Sequence, residues 1–325
     1  MTQLSEQIRQ LRSKMLEQAG AKTLGLNAKE TALASAKINS VENMPISLKN
    51  WLEIYDEYES WFASVANLFL FRLMVSNKEQ NAIIQPYCKI SSAIVSQLFS
   101  IRSLVVAGFD ASAKQILRSL KEHVELAVIL PRSSSITNAF LSYDDIESAR
   151  RFWQEHIQPD KNNKKKVTDE FRRLMRLNLG ENGLQKMQQY EINEEAVLNA
   201  VVHPSFVGCD MIMLAGAIDY KTMNWPAYLG LQSSFSIRTL KYAIYKCLFY
   251  VALVDLSKFY ELSVSLPPEY NSKQIDAYNA LVEDTVTHVV HGKAFLLSLA
   301  SLTLFDEEAP ELRAPELLDD DGTSP

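Results

Sequence analysis

The chain has 325 residues, 47% of them hydrophobic and 22% charged, with a formal net charge of −6. That is room for one large helical domain or two ordinary ones, with a substantial core. Ten glycines, and no match to a phosphate-binding loop or dinucleotide fingerprint, argue against a nucleotide fold built on a glycine loop. The charge is uneven. Residues 306–325 hold eight acids and one arginine, a local −7, which leaves about +1 for the rest of the chain. Cys88, Cys209 and Cys247 are far apart and form neither a metal spacing nor a disulfide framework, so a reducing, cytosolic setting is expected.

Residues 4–19 read as a first amphipathic helix, stopped at Gly20, and Asn27 with Glu30 as a capping box for a short helix to Ile38. The opening section, 1–45, has few large apolar residues. It reads either as an arm that packs on a partner or a second copy, or as a loosely held extension. Ser47 is expected to cap a long helix whose row of Trp51, Tyr55, Tyr58, Trp61, Phe62 and Phe69 has the spacing of a core face. A second helix spans 78–107, bent near Pro86.

The clearest helix lies between Gly108 and Pro131. Asp110 is expected to be its N-cap and the proline its end. Ala113, Ile116, Leu117, Leu120, Val124, Ala127 and Val128 share one arc and face the core. Arg118, Glu122 and Glu125 fall nearly opposite, with His123 on the flank. Arg118 and Glu122, four apart, form either a solvated pair or part of a polar cluster facing a second layer of helices.

Further on, residues 136–141 are short and apolar, and Ser142 is expected to cap a helix to about Gln158. Residues 161–176 hold seven basic residues against two acids. Lys164, Lys165, Lys166, Arg172 and Arg173 are the candidates there for attracting nucleic-acid phosphate, against the reading of a hydrated loop leading into a surface helix. Gly180 and Gly183 break the chain, and Asn193 is expected to start a short helix ending at Pro204. Residues 227–263 are helical in pattern, with an apolar run at 242–256 interrupted by Lys246 and Asp255. A last helix covers 272–304. The apolar stretch 294–305 is too short to span a bilayer, and no membrane partner is expected. Asp284, His288 and His291 share one face of this helix and are candidates for a divalent metal, or exposed polar residues of an amphipathic helix. No strand pattern or internal repeat appears. The fold class is all-α: a multi-helix bundle over 46–305, a helical extension before it and an acidic tail after it.

The stretch ILRSLKEHVELAVIL, followed some eighty residues later by LNAVVHPSF, resembles a set of bacterial all-helical proteins grouped with the HEPN and abortive-infection proteins. The resemblance covers about a third of the chain. It implies a defence or stress role through RNA or a protein partner, no cofactor, and pairing with a second copy. HEPN ribonucleases use an arginine and a histidine four to six residues apart, without metal. Here those positions fall on Arg118 and His123, with Ser119 where the pattern has Asn, Asp or His. Five helical residues turn through about 140°, so one helix does not present both to one phosphate. His203 is the other candidate: set beside Arg118 and Glu122 it would complete an anion-binding or acid–base set. The competing reading is a non-catalytic binding or scaffold protein in which Arg118, Glu122 and His203 form a structural cluster.

Overall fold

The computed structural model describes residues 44–304 except 77, 143–144, 158–165, 203–233 and 261–270, together with Gln10, Ser13, Lys14 and Glu17. Among these residues there are eight α-helices and no strand: α1 Ile46–Val75, α2 Lys78–Val106, α3 Asp110–Ile129, α4 Ser134–Ser142, α5 Ile146–Phe152, α6 Lys166–Val202, α7 Ser234–Leu253 and α8 Ser272–Thr303. The all-α bundle expected from the periodicity is what forms. The helices expected at 4–19 and 27–38 and the acidic tail lie outside the described residues, apart from the four polar positions named above.

The aromatic row of α1 makes the centre. Trp51, Tyr55, Tyr58, Trp61, Phe62 and Phe69 are all buried. α1 packs against α2, α7 and α8, and α3 packs against α2, α6 and α7. Buried polar atoms of the aromatic rings find backbone partners, as burial requires. The Tyr55 hydroxyl donates to the Leu98 carbonyl (3.0 Å), the Trp61 indole to Val289 (2.9 Å) and the Tyr58 hydroxyl to Leu296 (3.3 Å). Phe69, Tyr87 and Phe259 close a second ring cluster at 4.8–5.6 Å.

Helix ends follow local chemistry. Gly108, at φ 74°, turns the chain out of α2 while Phe109 N–H bonds the Leu104 carbonyl (2.7 Å). Arg132 joins two helix ends, donating to the carbonyls of Val128 (2.8 Å) and Leu253 (2.5 Å). By length and composition alone, 80–106 in α2 would suffice to cross a membrane. In the bundle this helix packs on α1 and α3, and its Arg102 holds Asp56 at 2.5 Å and 2.8 Å.

Several boundaries differ from the sequence reading. α1 starts at Ile46 with Pro45 as N-cap, so Ser47 caps nothing. Residues 136–141 lie inside α4. The next cap is Asp145, which exchanges bonds with Ser148 in a capping box, and a π-helical turn follows at Trp153–Ile157. The break expected at Gly180 does form: its backbone is non-helical, at φ 68° and ψ 178°, and kinks α6 into two helical segments, while Gly183 and Asn193 sit inside the second of them. Asp110 is not the cap of α3. Phe109 is, and the Asp110 carboxylate lies in the first turn.

Candidate functional site

α3 is buried on two sides. Its apolar arc faces inward as expected, and α3 packs on α2 and α7, but Glu125 is 2% exposed and Lys114 and Lys121 are also buried. Asp110, Lys114, Arg118, Lys121 and Glu125 follow spacings of 4, 4, 3 and 4. At 100° per residue these fall within an arc of about 80°. This charged stripe faces α6 and α7, not water. Glu125, which falls away from the apolar arc, is buried as well, and a polar cluster facing a second layer of helices forms around Lys121 and Glu125.

At the start of the stripe, Ser236 of α7 donates its hydroxyl to Asp110, 2.8 Å from both carboxylate oxygens. Lys114 Nζ donates to Thr239 Oγ1 at 2.9 Å. Alongside, Arg238 of α7 donates from Nε to both oxygens of Glu194 of α6 at 2.8 Å and 2.9 Å. Burial pushes the Lys114 ammonium down to about 8, against the pull of Asp110.

At the far end the charges interlock three helices. Lys246 of α7, fully buried, pairs with Glu191 of α6 and lies 3.4 Å from Glu125 of α3. Lys121 pairs with Glu195 and lies 3.8 Å from Glu125. Thr168, near the start of α6, donates to the second Glu125 oxygen at 2.9 Å. The rings of Phe171, Tyr242, Tyr245 and Phe249 surround the Lys246 ammonium, with centroids 5.6–5.9 Å away. Burial alone would lower the Lys121 pKa, but Glu125 and Glu195 outweigh it and hold it raised. The Tyr242 hydroxyl finds no hydrogen-bond partner among the described residues, and burial drives its pKa far up.

This arrangement constrains packing more than it offers chemistry. Shifting α6 by one residue against α3 and α7 would leave at least one carboxylate or ammonium unpaired in the core, a loss of about 3–5 kcal/mol. Lys246 cannot meet a substrate from a fully buried position.

The residues expected to carry chemistry are placed as follows. Arg118 and Glu122 are half-buried, and neither forms an ion pair among the described residues. His203 lies outside the described residues, so the expected Arg118–Glu122–His203 meeting does too. His123 Nδ1 lies 2.7 Å from the Ser119 carbonyl, one helical turn back. A carbonyl only accepts, so that nitrogen carries the proton and donates it. The Gln97 amide nitrogen donates to Ser119 Oγ at 2.8 Å, so Ser119 carries the α2–α3 hydrogen bond; the protonated Nδ1 of His123, 3.2 Å away, cannot also accept from that amide.

Of the basic cluster, Lys164 and Lys165 lie outside the described residues and Lys166 is exposed. Arg173 is bonded to Glu170 (2.5 Å and 2.9 Å), Arg172 lies 3.9 Å from Asp169, and Arg176 lies 3.0 Å from Glu181. These surface pairs add little to stability, but they offset the positive patch. Asp284, His288 and His291 are all exposed, and His288 Nδ1 lies 2.7 Å from Ser64 Oγ of α1. Among the described residues no three His, Cys, Asp or Glu side chains are grouped so as to hold a metal ion.

Lys121, Glu191, Glu194, Arg238 and Lys246 were not signposted as site residues by the sequence. The signal for Lys246 was a single lysine inside the apolar run 242–256, and for α6 three carboxylates at offsets 0, 3 and 4. Comparison of the chain with known family models, with characterised proteins and with solved structures finds no match.

Proposed function

We propose that the chain is a non-catalytic helical scaffold or binding protein. One observation carries this reading. The densest set of ionisable residues, on α3, α6 and α7, is paired helix to helix, with Lys246, Glu125 and Glu191 buried at its centre, so its role is to fix the register of the bundle. His123, the remaining acid–base candidate on α3, has its protonated ring nitrogen committed to a backbone carbonyl.

A specific observation favours a second reading, a metal-independent ribonuclease of the HEPN type or an RNA-associated factor. Arg118 has no counter-charge among the described residues, although its neighbours on the stripe are all bonded. There Arg118 would contact an RNA phosphate, and His123 or His203 would move protons for attack by the 2′-hydroxyl. Purified chain incubated with total RNA and EDTA separates the two readings. A scaffold leaves the RNA intact. Cleavage that disappears in both Arg118→Ala and His123→Ala assigns the ribonuclease.

A further inference from the structure

The last turns of α8 carry an apolar row on their outer side. Phe295 is 51% exposed and Leu302 65% exposed, with Leu299 half-buried between them. The spacing of four and then three is that of a helix-docking stripe. Ser298 and Ser301, small and exposed beside the row, leave room for close approach. The contacts of Phe71 with Tyr278, Ser64 with His288, Trp61 with Val289 and Tyr58 with Leu296 make α8 antiparallel to α1. The apolar end of α8 therefore lies beside the first turn of α1, where Ile46 is 70% exposed. That is the point at which residues 1–43 join the bundle.

We propose that the occupant of this stripe is the chain's own segment 4–19. In sequence, Leu4, Ile8, Leu11 and Met15 stand at offsets of 4, 7 and 11, an apolar row matching the one on α8. Gln10, Ser13, Lys14 and Glu17, on the opposite arc of that periodicity, are helical and exposed, as the outer side of a docked helix requires. Residues 20–43 extend to roughly 80 Å at about 3.3 Å per residue, so the tether reaches any point on α8.

The alternatives fit less well. The tail, 306–325, also leaves from this end, but its eight carboxylates would have to be desolvated against Phe295 and Leu302. A second copy would need about 800 Å² per partner for a stable interface, and the row offers it Phe295, Leu299 and Leu302. A tethered helix is under no such demand, because its effective concentration is millimolar without any gain in area.

The test places a photo-cross-linker, p-benzoylphenylalanine, at Leu302 of the full chain. Ordinary and ¹⁵N-labelled chains are mixed in equal amounts, irradiated and mapped by mass spectrometry. Docking predicts cross-links from position 302 to residues 4–19, each within chains of one isotope. Leu11→Asp with Met15→Asp should lower the yield at least five-fold and speed amide exchange over 296–304, while Ser13→Asp on the outer side changes neither. Mixed-isotope cross-links, cross-links only to other segments, no cross-link, or a yield indifferent to the Leu11 and Met15 changes would each overturn the proposal.

Discussion

Lys246 and Glu125 lie 3.4 Å apart in a place where neither is appreciably exposed. The ammonium is shared with Glu191, and the Glu125 carboxylate with Lys121 and Thr168, so no member of the set can leave without stranding another. Lys246→Met should lower stability by about 3–5 kcal/mol, read from urea unfolding, because it leaves carboxylates buried beside one remaining lysine. Lys246→Met combined with Glu191→Leu removes one charge of each sign and should recover most of the loss. A Lys246→Met protein as stable as the parent would mean that these charges contribute nothing to holding the helices.

Asp110 and Ser236 give a second case in which tertiary contact replaces a local role. A capping aspartate is replaced by serine at little cost. Here the carboxylate accepts the Ser236 hydroxyl from another helix. Asp110→Ser should therefore cost about 1.5–3 kcal/mol, the range for a hydrogen bond to a charged group. In a cycle with Ser236→Ala the two losses should be coupled by about 1 kcal/mol or more. Additive losses would return Asp110 to a purely local function.

Helix existence was legible because core positions recur at the helical period: the rows of α1, α3 and α8 were readable residue by residue. What the wheel cannot separate is a face turned to water from a face turned to another charged helix, since both appear polar. Glu125 could be placed only off the apolar arc, and it is Glu191 and Lys246, 66 and 121 residues further on, that make its side a buried one. Gly180 was legible as a break, and the backbone is non-helical there; what the sequence did not show is that helix resumes directly beyond it, with Phe171 and Leu184 buried on either side.

Lys114 should leave its mark on pH dependence. Its folded-state pKa is lowered to about 8 by burial, against an ordinary value of 10.5. Between these values the unfolded chain holds the proton and the folded chain has released it. Stability from this group therefore rises with pH across that window, on the order of 1 kcal/mol per unit, and is flat below it. Buried tyrosines oppose the trend near pH 10, so the quantity to measure is the difference between the parent and Lys114→Met. That difference should shift in favour of the parent from pH 8 to pH 10. A constant difference would mean that the folded lysine keeps its ordinary affinity for the proton despite its surroundings.

Gly292 and Gly180 make opposite demands, which one pair of substitutions can expose. A Cβ at Gly292 would sit 2.6 Å from Trp61 Cδ1, a ring held in the core by its bond to the Val289 carbonyl. A Cβ at Gly180 meets nothing within 4 Å, but the residue holds φ +68°. Alanine in a helix interior gains about 1 kcal/mol over glycine. At 292 that gain is set against overpacking of about 1–3 kcal/mol, because the indole is hemmed in by Phe62 and Tyr250 at 5.2 Å and 6.2 Å and cannot swing away. Gly292→Ala should be net destabilising, and less so in a Trp61→Ala background, where the clashing Cδ1 is gone. At 180 the cost is backbone strain of about 1–3 kcal/mol, because φ 68° with ψ 178° is a region that essentially only glycine adopts, so Gly180→Asn should lose about as much as Gly180→Ala. Thermal melts of the parent and the five variants decide between the causes. If Gly292→Ala stabilises the chain, Trp61 has room to move and the α1–α8 seam is looser than the 2.9 Å indole bond implies.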